Sequence, residues 1–411
     1  MNTKPIIKAL LPAAAFCAVS AVAEEAAPSA GQLLQDMNMF VPEDGAPSIK
    51  VQANEKFGTQ WAVDAAYSAL SATHTLPDSN RKATYALLHA QLNQRLWETA
   101  PGVSTWLRAE FSGSWGLDAS TARRRKTSIT EATGSAHSPH ADIFEPHSAI
   151  LPELALMQYF AGNRACVIAG MVNLTNYFDA VSLANDSFHS FANASFVNST
   201  VLPLPDSNLG AVVQWQPTDT DYLMAAFART HTEPGYNPFR TGKGYVITAE
   251  WGRTWAEGKL TSRITPFIER TPNEDTDGQL KSRTNYGISG SLEYAPCDAC
   301  AFFTRAGFGA EQELGNVFDF SVGTHLRLIP SREDDFLGIA YGVCNAAHRG
   351  IDWADTGHTM RHRREQNLEV VYNLQITDYF KIMPHYQFTA NPNGSERSSA
   401  HLFGIQAIFS F

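Results

Sequence analysis

Two tryptophans and a scattered set of charges are the residues of this 411-residue chain best equipped to recognise a small polar solute. Arg95 and Trp97 sit two apart, as do Trp106, Arg108 and Glu110, so each group lies on one side of an extended strand. Planar charged groups hydrogen-bond hydroxyls and aromatic faces cover C–H surface, the mixture found in small-molecule sites. Glu250, Arg263 and Glu369 fall on the same inward parity farther along. These eight residues are the expected lining of a solute path; the alternative is a charge ladder that only keeps an interior hydrated. Cys297-Asp298-Ala299-Cys300 has the spacing of a redox pair. It lacks the βαβ context of one, so a structural disulfide formed in an oxidising compartment is expected. His358-x-x-x-His362 has metal spacing on a helix but no intervening Glu and no third ligand. His137, His140 and His147 are scattered, and neither metal nor cofactor is expected. No short motif brings Ser, His and an acid together, so an enzyme is not expected either.

The elements that must carry these residues read as strands. In residues 84–97 the even positions Ala86, Leu88, Ala90 and Leu92 are apolar while His89, Gln91, Asn93 and Arg95 are polar. The same period of two recurs in 105–115, 285–294 and 317–328. Sixteen strands follow, near 60–70, 84–97, 104–115, 151–160, 165–172, 208–215, 221–230, 245–255, 259–269, 284–294, 301–311, 317–328, 334–343, 364–373, 380–389 and 400–411. Long connections (71–83, 116–150, 173–207, 231–244, 270–283, 344–363, 390–399) alternate with short ones, except that 312–316 is short where a long one is due. A sandwich has no reason to alternate in this way. A transmembrane barrel does, with short turns on one side and long loops on the other. The fold class is therefore all-β, a 16-stranded antiparallel transmembrane β-barrel, and a barrel of that size leaves an aqueous lumen.

Only 18% of the residues are charged, against roughly 25% in an ordinary soluble domain. The net charge of −10 argues against a nucleic-acid partner, which calls for a basic footprint. The aromatic and aliphatic content excludes a disordered chain. Lys4 and Lys8, the apolar run 9–21 and Ala21-Val22-Ala23 read as a secretory signal over residues 1–23. Residues 24–47 are expected to be a periplasmic N-terminal extension, with a short helix at 30–39 in the periplasm or inside the lumen as the two alternatives, and the barrel occupying 48–411. The last strand alternates Phe403, Ile405, Ala407 and Phe409, and ends on Phe411. Bacterial outer-membrane barrels resemble one another in such a terminal aromatic, which implies delivery to the barrel-assembly machinery.

Loops longer than about 12–15 residues usually have a task. Residues 173–207 hold Phe178, Phe188, Phe191 and Phe196 among Asn173, Asn176, Asn185, Asp186 and Asn193. Such a loop does not lie flat in water. It is expected to fold into the barrel as a constriction built on Asn176, Phe178, Asn185, Asp186 and Phe191, with subunit packing as the alternative. The basic run Arg123-Arg124-Arg125-Lys126 in the preceding loop faces either lipopolysaccharide phosphates or solvent.

An ordered set of short segments resembles the carbohydrate-selective porins of the OprB family. It includes Leu92-Asn93-Gln94-Arg95-Leu96-Trp97, Leu107-Arg108-Ala109-Glu110-Phe111, Asn176-Tyr177-Phe178-Asp179, Leu183-Ala184-Asn185-Asp186 and Phe191-Ala192-Asn193. It continues through Leu209-Gly210-Ala211-Val212-Val213, Arg332-Glu333-Asp334-Asp335 with Gly338-Ile339-Ala340, then Glu365 and Glu369 before Tyr372. Pro384, Gln387 and Asn391-Pro392 complete it, although His385 stands where many relatives carry an acid. The resemblance implies a 16-stranded outer-membrane barrel admitting monosaccharides such as glucose through a narrow, loop-lined eyelet. Its partners would be small sugars and outer-membrane lipid, with a homo-oligomer left open. The competing readings are a porin for other solutes, a lipase-like barrel enzyme and a surface adhesin.

Overall fold

The computed structural model describes residues 48–76, 79–117, 129–143, 149–230, 244–274, 280–310, 316–345, 364–394 and 399–411. The signal and extension assigned to 1–47, the basic run 123–126, His147 and the His358/His362 pair lie outside the described residues. Within them, sixteen strands form: β1 (Thr59–Thr73), β2 (Lys82–Ala100), β3 (Val103–Gly116), β4 (Ala149–Phe160), β5 (Ala165–Val172), β6 (Asn208–Trp215), β7 (Asp221–Thr230) and β8 (Gly244–Trp255). They continue as β9 (Leu260–Glu274), β10 (Leu280–Cys297), β11 (Cys300–Gly309), β12 (Phe318–Leu326), β13 (Phe336–Cys344), β14 (Glu365–Thr377), β15 (Phe380–Ala390) and β16 (Ser399–Ser410). Each strand pairs antiparallel with its sequence neighbours, and β16 returns to β1 to close the barrel. Closure leaves no open edge and satisfies every ladder inside the wall.

Alternation decides which face each residue takes. Tyr67, Leu156, Phe227, Ile268, Phe308 and Phe403 lie on the outer face and are exposed. Such a belt belongs in hydrocarbon, since apolar surface left in water costs about 25 cal/mol per Å². Aromatic residues gather at the periplasmic rim, where Phe411 packs on Trp61 and Tyr379 with ring centroids 5.0 and 5.8 Å apart. The Val63 and Phe411 backbones exchange hydrogen bonds of 2.7 and 2.8 Å that complete the seam.

Two details depart from the sequence reading. Residues 48–57, assigned to the barrel, are a helix, α1 (Ser48–Phe57), at the periplasmic foot of β1. Asn54 accepts from the Gln60 side chain at 3.2 Å, and Lys50 sits 5.2 Å above the Trp61 ring. Gly58 ends the helix at φ +64°, a left-handed conformation that favours glycine. The second departure is at 270–283, expected as a long loop, where β9 and β10 keep pairing as far as Glu274 and Leu280. Their neighbours stop pairing at Arg270 and Gly287, so this hairpin stands above the rim.

The lumen is not uniformly wet. Ile168, Val212, Met224, Ala226 and Val246 point inward from β5 to β8 and are buried with Leu174, Tyr177 and Phe178. On the opposite wall Phe303, Ala340, Val371, Met383 and Leu402 are buried with Phe188, Phe191 and Phe196. Both clusters include residues of loop 173–207, and the second also takes in Ile129 and Ile143 of the preceding loop.

Candidate functional site

Loop 173–207 owes its shape to short polar caps and a buried aromatic set. The Asn173 side chain accepts from Thr175 N and starts a 3₁₀ turn at Leu174–Asn176. Asn193 caps the helix Ala194–Val197 by accepting from Ser195 N, and Asp186 Oδ1 accepts from Phe188 N at 2.8 Å. Such side chains compete for backbone donors and so favour caps and turns. Its apolar residues press on both walls, so the loop straddles the lumen.

Its polar attachments run around the barrel. On the β3/β4 side, Asn176 Nδ2 donates to Glu110 and Glu153 at 2.5 and 3.0 Å, and Tyr177 OH donates to Glu153. Arg108 Nε donates to the same Glu153 carboxylate at 2.7 Å. On β8 and β9, Glu250 accepts from Asp179 N, Tyr222 OH and Thr265 Oγ1, each at 2.7 Å. Arg263 pairs with Glu293, which also accepts from Ser182 Oγ at 2.6 Å. On β11 and β12, Arg305 pairs with Asp179 at 2.8 Å and donates to Phe196 O at 2.7 Å. Asp319 accepts from Ser199 Oγ and Thr200 N at 2.8 and 2.5 Å. On β14 and β15, Glu369 accepts from Ala192 N and Asn193 N, both at 3.0 Å, and Gln387 accepts from Asn193 Nδ2 at 3.0 Å.

Residues 129–143, the described end of the preceding loop, sit over this one. A short helix, α2 (Ile129–Thr133), opens the segment. Ser135 Oγ, Ala136 N and His137 Nδ1 lie 2.9, 2.8 and 3.1 Å from the Glu365 carboxylate. Ala141 N donates to Ala192 O at 2.8 Å and Ser187 Oγ donates to Asp142. The two loops are therefore one polar-stitched body inside the barrel.

Against the sequence expectations, Arg108, Glu110, Glu250, Arg263 and Glu369 all take the inward face. They are nonetheless buried at 0–6% exposure: loop groups donate to Glu110, Glu250 and Glu369, while Arg108 and Arg263 pair with the wall acids Glu153 and Glu293. Arg95 stays half-exposed near the periplasmic mouth, its guanidinium 5.8 Å from the Trp106 ring, and Trp106 itself is buried. Trp97 is corrected: a bulge between Arg95 and Trp97 advances the register, so Trp97 pairs with Thr105, a residue of the outward parity. It is 55% exposed, on the face of Leu107 and away from Trp106.

Of the five constriction-loop residues, Phe178 and Phe191 are buried against opposite walls, while Asn176, Asn185 and Asp186 lie along the open edge. Ser182 and His189 share that edge, and His189 reaches Asp186 at 2.9 Å and Asp64 at 3.5 Å. Cys297 and Cys300 face one another across the β10–β11 turn with their sulfurs 3.2 Å apart. His385 is drawn into the Glu369 cluster at 3.3 Å, as a partner of an acid rather than as an acid.

Glu153, Asp179, Glu293, Arg305, Asp319 and Glu365 are not among the expected site residues, although Asp179 and Glu365 stand in the segments that carry the family resemblance. A signal existed: each wall residue among them has inward parity, and Asp179 closes the Asn176-Tyr177-Phe178-Asp179 segment. Burial, with Glu250 and Asp319 nearby, pushes the Asp179 carboxyl up to about 6 although Arg305 opposes the shift. His140, buried beside His385, is pushed down to about 3 and stays neutral.

The family model for the carbohydrate-selective porin, OprB family, matches residues 114–411. No curated protein gives a significant match. The high-pH structure of Pseudomonas putida OprB superposes with a TM-score of 0.72 at 14% identity, covering 91% of this chain and 99% of that one. The outer membrane channel DcaP of Acinetobacter baumannii superposes with a TM-score of 0.55 at 11% identity, covering 86% and 97%. At those identities the solved structures speak for the fold, and the family match over most of the chain carries the rest. This chain belongs to the carbohydrate-selective porin, OprB family: it is a sixteen-stranded channel of the Gram-negative outer membrane for the passive diffusion of small carbohydrates.

Proposed function

We propose that loop 173–207 is the eyelet and that monosaccharides such as glucose pass along its open edge. The observation behind this reading is the division of the loop into two sides. Its apolar side chains are buried against both walls, while Ser182 and Asp186 are exposed and Asn176, Asn185 and His189 partly so, even though Asn176, Ser182 and His189 also bond the wall. Amides, a hydroxyl and an ion pair can exchange hydrogen bonds with sugar hydroxyls as water leaves them. With Trp97 outside and Trp106 buried, aromatic stacking contributes little, and selection rests on size and hydrogen bonding. Glu110, Glu250 and Glu369 serve this path as anchors of the loop, and Arg108 and Arg263 hold the wall acids Glu153 and Glu293, which also bind it. No catalytic step is invoked. Phe411 at the seam fits recognition by the assembly machinery, and the facing Cys297 and Cys300 fit a disulfide under periplasmic conditions.

Purified protein in liposomes tests the reading through osmotic swelling. Glucose and other hexoses should enter well ahead of disaccharides, and S182A/N185A should alter the relative rates of hexose isomers. Equal rates for mono- and disaccharides, or no swelling at all, would overturn it.

A further inference from the structure

On the inner face, the β12–β13–β14 register sets Cys344 between two acids, Asp319 on one side and Glu365 on the other. Cys344 is a buried thiol outside any disulfide. His137 descends onto the same spot from segment 129–143. One donor atom from each of His137, Cys344 and Glu365 lies within 4.8 Å of the others. Two carboxylates and a thiol gathered out of water call for positive charge, and Asp319 Oδ1 is buried with no hydrogen-bond partner among the described residues.

We infer that His137, Cys344 and Glu365 form a binding site for one divalent transition-metal ion at the extracellular end of the lumen. The donor set selects the class of ion: imidazole, thiolate and carboxylate suit zinc and its neighbours, whereas calcium and magnesium take oxygen alone. Tetrahedral bonds of about 2.0–2.3 Å place donors roughly 3.3–3.8 Å apart. His137 Nδ1 and Glu365 Oε1 stand 3.1 Å apart and no pair of the three exceeds 4.8 Å, so binding asks for a shift of about 1 Å at most. His137 can supply that movement because it lies in a loop segment. The outer shell is already built around Glu365. Oε1 accepts from Ser135 Oγ and from Asn367 Nδ2 at 3.0 Å, and Oε2 accepts from Ala136 N and from Asn393 N at 2.5 Å. Bonds of this kind orient metal-binding carboxylates. On binding, the Cys344 S–H bond breaks, a sulfur–metal bond forms, and the proton leaves to solvent. Thiolate and carboxylate then balance the two positive charges. The ion would tie segment 129–143 to the wall beside the sugar path.

Cobalt(II) is the probe, because a thiolate ligand gives it a near-ultraviolet charge-transfer band that oxygen and nitrogen ligands do not. The full-length C297S/C300S protein in detergent removes the other neighbouring pair of sulfurs. It should bind one cobalt with that band, release about one proton per ion, and lose the band when zinc is added. Adding C344S should abolish the band, and H137A should weaken cobalt binding by at least about tenfold. H137A changes only a loop residue, so it stays informative if C344S fails to fold. Absence of the band in C297S/C300S, its survival in C344S, or unchanged affinity in H137A would overturn the site.

Discussion

Arg305 offers the most direct perturbation of the loop. It is 1% exposed and binds Asp179, with further bonds to Phe196 O at 2.7 Å and Val197 O at 3.3 Å. Arg305→Met keeps the bulk and removes every donor. Breaking one partner of a buried pair costs about 3–5 kcal/mol, because the other charge is stranded. Protonation caps that cost. Holding a carboxyl with an ordinary pKa of about 3.9 neutral at pH 7 takes about 4 kcal/mol, and at pH 5 only about 1.5 kcal/mol. At neutral pH the variant should therefore shift the balance between docked and released loop by roughly two to three powers of ten. The ladder of the wall does not involve Arg305's side chain, so the barrel should still form. Single-channel conductance in planar bilayers and liposome swelling are the readouts. Arg305→Met at pH 7.5 should conduct more than the parent and admit disaccharides, and at pH 5 the difference should shrink. Asp179→Asn in the same chain removes the stranded charge and should recover part of the discrimination at pH 7.5. Parental conductance and selectivity at both pH values would refute the reasoning. So would a double variant leakier than the single one.

Glu369→Gln keeps the shape but loses a charged acceptor for Ala192 N and Asn193 N; hydrogen bonds to charged groups are worth about 1.5–3 kcal/mol each. Faster limited proteolysis within 173–207, with the barrel intact, is the expected result. Trp97→Ala should leave sugar permeation unchanged, since the side chain faces away from the lumen, and a loss of glucose flux would contradict that placement. The two loops should also answer pH with opposite signs. Asp179 binds its proton more tightly when docked (about 6) than as a free carboxyl, so its contribution to docking is full in acid and fades as pH rises from about 4 to 6. His140 is held at about 3 against an ordinary 6.5, so its contribution is full above 6.5 and fades as pH falls. Hydrogen exchange, corrected for intrinsic rates, should show 129–143 loosening between pH 7.5 and 5 while the Asp179 turn tightens.

Most of the fold was legible because a barrel wall has one period and one alternation of loop lengths. Each of the sixteen strands overlaps the segment assigned to it from the sequence. What escaped the period shares a cause. The extra residue near Leu96 shifts register without altering composition, and so Trp97 was put on the wrong face. Helix 48–57 carries no strong apolar stripe, and the β9–β10 ribbon extends where polar residues read as loop. The site was legible in position but not in role. Parity found Arg108, Glu110, Glu250, Arg263 and Glu369 on the inner face. It could not reveal that residues of two loops, as much as 248 positions away in the case of Pro139 and Gln387, would cover that face. One signal was present and unread. Strands 165–172, 208–215 and 221–230 are apolar on both faces, a pattern of walls buried from both sides.

The acidity of the chain acquires a structural explanation here. A loop threaded through a barrel cannot join the ladder, yet its backbone N–H groups are too enclosed to go unpaired. Inner-wall carboxylates resolve this. Glu250 takes Asp179 N, Glu369 takes Ala192 N and Asn193 N, Asp319 takes Thr200 N, and Glu365 takes Ala136 N and Asn393 N. Each bond also relieves the cost of burying the acid, so wall and loop stabilise one another. Arg305 does the converse for the carbonyls of Phe196 and Val197. Several inner acids in this protein are therefore first sockets for backbone, and the net charge of −10 overstates the free charge on the inner face. On the proposed path the solute meets the loop's open edge, where Asp186 and His189 stand paired and Asn176, Ser182 and Asn185 are neutral. That edge suits an uncharged, hydroxyl-rich solute better than either sign of ion.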